Sequence, residues 1–104
     1  MASLFKPEIK KSLTGTVQYK VCGSKGSYNL TYHDGDDKTC QLPEIQKKWS
    51  HFFESKTGNY AYVAAQSNVR KGRIVVKIYF RGKLVKKNSA SGDYAIAKAG
   101  SYLF

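Results

Sequence analysis

Two histidines, two cysteines and one run of aspartates are the residues of this 104-residue chain whose types suit catalytic or metal chemistry. Base catalysis needs a nucleophile and an orienting carboxylate within hydrogen-bond reach of a histidine. His51 follows Ser50 directly, and consecutive side chains on an extended strand point to opposite faces, so this pair builds no dyad. Cys40 lies 11 positions before His51, a spacing that neither makes nor breaks a thiol–imidazole pair. His33 abuts Asp34, Asp36 and Asp37, three carboxylates within four residues. Calcium favours such oxygen-rich loops, but an EF-hand needs a longer ligand pattern closed by a Glu, and that is missing. No Cys-x-x-Cys pair or close Cys/His cluster supplies zinc spacing. The residues therefore predict no catalytic group, no metal site and no cofactor, and a non-enzymatic protein.

Cys22 and Cys40 allow a single pairing, with 17 residues between them. They meet only if their segments are neighbours. A disulfide would imply an oxidising compartment; without it they are two small, half-buried thiols.

Charge is more informative. Lys and Arg number 18 against 7 Asp and Glu, a formal charge of +11 with a pI near 9.8. Eight of the basic residues fall between Arg70 and Lys87, a stretch without a single acid. Arg73, Lys77 and Arg81 share one face of a strand with Tyr79, and Lys83 and Lys86 follow. These six are the candidate partner-binding residues. A basic face with an aromatic ring suits an acidic membrane, glycan or protein surface. Nucleic acid, met by electrostatics and stacking, is the alternative. Glycine-rich phosphate loops and the aromatic motifs of RNA-recognition domains are both absent. The plainer reading of the same charges is a solvated outer sheet that keeps the protein soluble.

The elements that would position these groups read as strands. Residues 1–13 mix Lys, Pro and Ser with no sustained period and are expected to form a flexible basic arm. Residues 14–104 form one domain. From Gly15 the hydrophobic period is two: Val17, Tyr19 and Val21 alternate with Gln18, Lys20 and Cys22. Gly23-Ser24-Lys25-Gly26 reads as a turn, and Tyr28, Leu30 and Tyr32 form a second strand. Asp34-Gly35 marks a hairpin. A short strand at 39–42 ends at Pro43, and residues 44–48 suit one helical turn. Trp49, followed by Phe52 and Phe53, is expected to plug the core. Residues 60–66 make another strand, whose Ala61, Ala64 and Ala65 suggest close approach between layers. The clearest strand is 73–81, with Ile74, Val76, Ile78 and Phe80 on one face. Short strands at 84–86 and 94–97 complete seven. The eight residues Val17, Tyr19, Val21, Trp49, Ile74, Val76, Ile78 and Phe80 are the predicted core. An all-β sandwich of two antiparallel sheets hides these alternating faces, with a small closed barrel as its competitor.

Nothing approaches the roughly 18–20 consecutive apolar residues of a membrane helix, and the first residues lack the apolar core of a signal peptide. Two locations stay open at this point: the cytoplasm, or the envelope after removal of a targeting segment.

Several fragments in order carry a family resemblance. They are Val17-Gln18-Tyr19-Lys20-Val21-Cys22-Gly23, Leu30-Thr31-Tyr32, and Leu42-Pro43 with Trp49. Ala64-Ala65-Gln66 follows, then Val75-Val76-Lys77-Ile78-Tyr79 with Gly82-Lys83-Leu84-Val85. The last is Ala90-Ser91-Gly92-Asp93-Tyr94-Ala95. Over 17–97 the chain resembles the MmpS-related small envelope proteins and similar bacterial lipoprotein domains. The resemblance implies a seven-stranded, immunoglobulin-like domain held outside a membrane, acting as an accessory partner of large lipid exporters. It implies no catalytic residue. The expected function is thus a binding or accessory domain of the cell envelope or secreted space. It would contact an acidic or amphiphilic component or protein, a membrane transporter among the candidates, as a monomer or weak dimer.

Overall fold

The computed structural model describes residues 14–34 and 38–103. The predicted basic arm at 1–13 lies outside them, as do Gly35, Asp36 and Asp37 of the acidic turn. The described chain is all β: β1 (Thr14–His33), β2 (Thr39–Lys56), β3 (Tyr60–Ser67), β4 (Gly72–Phe80), β5 (Lys83–Gly92) and β6 (Ile96–Tyr102). All six belong to one antiparallel sheet, ordered β5-β4-β1-β3-β6, with β2 paired to β1. The expected all-β class holds, the strands forming one nearly closed sheet, and the strand count among the described residues is corrected from seven to six.

The correction has a local cause. Residues 23–26 do not turn the chain back; they are a bulge within β1, standing opposite Lys47 alone between the pairs Cys22↔Lys48 and Ser27↔Gln46. Such an excess bends a strand and sharpens its twist without ending it. The two predicted strands before and after Gly23–Gly26 are therefore halves of one strand. Its first half pairs with β4 (Val17↔Phe80 to Gly23↔Ile74), its second half with β3 (Tyr28↔Ser67 to Tyr32↔Val63), and β2 follows both. The expected helical turn at 44–48 is likewise strand, kinked where Glu44 and Lys47 take positive φ (54° and 61°). Bulged backbone at a sheet edge leaves N–H and C=O groups short of partners, and side chains supply them here. The Asn29 Oδ1 accepts from the Glu44 N–H at 3.0 Å, and the Tyr28 hydroxyl donates to the Lys47 carbonyl at 3.0 Å.

The bend folds the β4–β5 wing over the β3–β6 wing around one core. Val17, Tyr19 and Val21 point inward before the bulge, and Tyr28, Leu30 and Tyr32 after it. They meet Ile74, Val76, Ile78 and Phe80 of β4, and the small Ala61, Ala65, Ala97 and Ala99 of β3 and β6. Alanines facing tyrosines let the wings approach closely, as complementary volumes do in a dense interior. Ala64 alone of the three expected alanines points outward, on the alternate parity of β3. Each buried Val, Ile or Phe contributes about 1.5–3 kcal/mol of hydrophobic stabilisation. On the far side the sheet stops just short of closure: a side chain, Asn88 Nδ2, bridges β5 to the Lys98 carbonyl of β6 at 2.8 Å.

Trp49 is not the central plug. It lies half-buried on β2, opposite Val21, and its ring packs 5.0 Å from that of Tyr32. Among the described residues β2 pairs with β1 alone, so the indole sits at the sheet edge, packed against the rim of the core. Three tyrosines occupy the interior instead. The Tyr19 hydroxyl donates to the His33 carbonyl (2.7 Å) and accepts from the Tyr62 N–H (3.1 Å). Burial pushes the phenols of Tyr19 and Tyr28 up to about 12. Among the described residues no buried side-chain nitrogen or oxygen lacks a partner, and no helix is long and apolar enough to cross a membrane.

Candidate anion-binding face

Because β4 buries Ile74, Val76, Ile78 and Phe80, its alternation turns Arg73, Val75, Lys77 and Tyr79 to the outer face. The pairing register then sets each of them beside outward residues of β1, β2 and β5. Lys77 stands directly opposite Lys20 of β1 and Lys87 of β5, while Ser50 of β2 flanks Lys20. One row further, Tyr79 is paired with Gln18 and Leu84, and Gln18 with Phe52. On the other side of the lysines, Val75 pairs with Cys22, and Cys22 with Lys48. The outer face therefore carries a row of three ammonium groups on adjacent strands. An apolar row borders it, whose Phe52 and Leu84 are 60% and 50% exposed.

Like charges directly opposite in a sheet repel, and mixed signs are the usual arrangement. Here a cleft of about 490 Å³ opens among the lysines, lined by Lys20, Cys22, Lys48, Val75, Lys77 and Lys87, with Val21, Trp49 and Ser50 completing it. No acidic residue belongs to that lining. The Lys20 ammonium lies 5.2 Å from the centre of the Tyr79 ring, a cation–π contact that aims it along the face. Glu54, further along β2, is held by the Thr16 hydroxyl at 3.2 Å. Asp93 accepts from the Lys71 N–H at 3.0 Å.

Of the six residues read from the sequence, Lys77 and Tyr79 lie at the centre of this face. Arg73 is exposed on the same side of β4, beyond Val75. Arg81 is exposed in the turn after β4 and tethers the start of β1. Its Nε and Nη2 donate to the Thr14 carbonyl at 3.1 and 2.9 Å, its Nη2 reaches the Thr57 hydroxyl at 3.5 Å, and its guanidinium covers the Phe80 ring. Lys83 and Lys86 pair with Phe80 and Ile78, so they belong to the opposite side of the sheet. A register shift between Ile78 and Tyr79, where Val85 is the extra residue of β5, exchanges the parities. That shift puts Lys87 on the basic face in place of Lys86. Lys20 and Lys48 went unselected because they lie far from the 70–87 run; the alternation of Lys20 with Tyr19 and Val21 was the signal available for it.

The cysteines are free and half-buried. They do lie on neighbouring strands, yet Cys22 pairs with Lys48 whereas Cys40 pairs with Tyr32, ten positions further along β1. Cys22 faces the outer cleft, and Cys40 packs against the core. Of the two alternatives the sequence left open, the structure has the free thiols: register and facing separate them. His51 stacks between strand neighbours, 5.8 Å from both Trp49 and Phe53 and 4.9 Å from Tyr32. His33 packs 5.6 Å from Tyr62. Ser50 lines the outer cleft, on the side of β2 away from His51. Among the described residues no three His, Cys, Asp or Glu converge as a metal site.

Comparison with known proteins bears on the fold. No protein-family model matches the chain, and no curated protein matches it. Solved structures of similar fold include two DUF4425 domains. One is a DUF4425 family protein from Bacteroides ovatus, with a TM-score of 0.52 at 14% identity, covering 85% of this chain and 93% of that one. The other is a domain of unknown function, DUF4425, from Bacteroides vulgatus, with a TM-score of 0.55 at 11% identity, covering 88% and 98%. At such identities the likeness is one of fold: this chain shares an all-β architecture with the DUF4425 domains over nearly their whole length.

Proposed function

We propose that the domain is a non-enzymatic binding module of the cell envelope or secreted space, which takes an acidic or amphiphilic partner on the outer face of β1, β2, β4 and β5. The observation that carries this reading is the direct juxtaposition Lys20–Lys77–Lys87 beside the row Phe52–Gln18–Tyr79–Leu84, in which Phe52 and Leu84 are exposed. Charge recruits an anionic surface, and the apolar row meets the part of it that is not charged. The location rests on the resemblance to small envelope proteins. So does kinship with immunoglobulin-like sandwiches, a reading favoured by the way the bent β1–β2 hairpin serves both wings.

The test compares two double charge reversals of equal net change. Lys20→Glu with Lys77→Glu alters the proposed face; Lys83→Glu with Lys86→Glu alters the other side. A lysine near an anionic bilayer contributes about 1 kcal/mol, so loss of the first pair alone should weaken binding to anionic vesicles by roughly 30-fold, and the introduced carboxylates by more. The second pair should weaken it far less. Equal losses would mean that net charge, and not this face, does the binding. Tighter association with a single-stranded oligonucleotide than with vesicles at the same salt would transfer the assignment to nucleic acid.

A further inference from the structure

Resting on that reading, we infer that the lysine cleft is a seat for one doubly charged phosphomonoester group, carried by an amphiphile whose apolar part lies along Phe52, Tyr79 and Leu84.

The argument begins with charge density. Lys77 has an ammonium-bearing neighbour on each side, and Lys48 stands in the adjoining row of the same cleft. Directly paired residues keep their Cβ atoms about 4.5–5.5 Å apart. Three lysine stems rooted that closely are long and flexible enough to bring their ammonium groups around one tetrahedral anion. A singly charged phosphodiester or carboxylate leaves most of that positive charge uncompensated. A phosphomonoester carries about −1.5 to −2 at neutral pH and offers three acceptor oxygens. Lysine binds phosphate as a point charge, without the planar fork that makes arginine suit carboxylates. The cleft fits that preference: its four cations are all lysines, while the nearby arginine of the same strand end, Arg81, is committed to the Thr14 carbonyl.

The surroundings supply the second half of the ligand. Val75 and Cys22, paired on the outer face, give the cleft an apolar floor rather than further hydrogen-bond donors. One row away, about 6–7 Å along the strands, Phe52, Tyr79 and Leu84 continue the apolar surface on three different strands. A molecule with a phosphate head and a hydrocarbon body spans both rows at once. Inorganic phosphate uses only the first.

Binding is followed by isothermal titration calorimetry of the full chain with short-chain phosphatidate, with the matching phosphatidylglycerol, and with inorganic phosphate at constant ionic strength. Phosphatidate should bind about ten-fold more tightly than the phosphodiester, the effect of roughly one further charge contact. Lys77→Gln should bring the two lipids within about two-fold of each other while leaving the thermal midpoint unchanged or raised, since it removes a like-charge neighbour. Phe52→Ala should weaken phosphatidate and leave inorganic phosphate as it was. Equal affinity for monoester and diester overturns the dianion seat while the basic face stands. Equal affinity for phosphatidate and inorganic phosphate overturns the amphiphile. Binding of none of the three, by the chain or to vesicles, overturns both this inference and the function it rests on.

Discussion

The Tyr19 hydroxyl joins the end of β1 to β3, donating to the His33 carbonyl and accepting from the Tyr62 N–H. Replacing it by Phe keeps the ring in the core and strips both backbone groups of their partner. Leaving buried polar groups unpaired costs about 1–3 kcal/mol. Tyr19→Phe should therefore lower the unfolding free energy by that amount, read as a lower urea midpoint with an unchanged denaturant slope; a loss within error would show that water replaces the phenol freely. The same residue predicts an alkaline limit. Burial favours the neutral phenol, so its folded value of about 12 stands above the ordinary 10. The unfolded chain then releases its proton first as pH rises. Stability is full below about pH 10 and declines as pH climbs through 12. Tyr28, with the same elevation, adds to the decline, and Tyr19→Phe should make it shallower.

At the scale of the element, the bulge in β1 decides the fold. Gly26 adopts φ +57°, and a Cβ placed there would stand 2.5 Å from Val69 Cγ1. Conformation and space both exclude a side chain. Gly26→Ala should destabilise by about 1–3 kcal/mol, read from chemical denaturation. Adding Val69→Ala relieves only the steric part, so the double variant should be more stable than the sum of the single losses implies. A fully additive pair would mean that backbone strain is the whole effect. β2 shows the other use of irregular backbone. It is 18 residues long and pairs with β1 alone among the described residues, and a flat edge of that length templates aggregation. Pro43 and the positive-φ residues Glu44 and Lys47 interrupt it. Their signature in the sequence was slight, since positive φ in Glu or Lys has no compositional marker, and this stretch reads as helical by polarity alone.

Over the whole molecule, a formal charge of +11 opposes compaction and promotes capture of anions, so salt should act on the two with opposite signs. Raising sodium chloride from about 20 mM to about 300 mM shortens the screening length from roughly 20 Å to 6 Å. The thermal midpoint of the free protein should rise, while affinity for anionic vesicles should fall steeply. Scanning calorimetry and vesicle co-sedimentation on one sample series check both. Parallel changes would indicate that binding is driven by the apolar row instead.

Much of this architecture was written in period-two patterns: the inward sets of β1 and β4 were legible residue by residue, because a half-buried strand must alternate. Polar, basic character between Arg70 and Lys87 was legible too. What the pattern could not convey is which strand lies beside which, and at what register. Val17 and Val21 read the same whether residues 23–26 reverse the chain or merely bend it, and that choice depends on Lys47, Tyr28 and Val69 closing around the bulge. Lys86 and Lys87 are equivalent in composition; one extra residue at Val85 assigns them to opposite faces. Lys20 lies 57 positions from Lys77 in the chain, and only cross-strand pairing makes them neighbours. Alternation is a local property of the backbone, set by each residue and the next. The lysine row is a product of long-range hydrogen bonding, and so belongs to the tertiary structure alone.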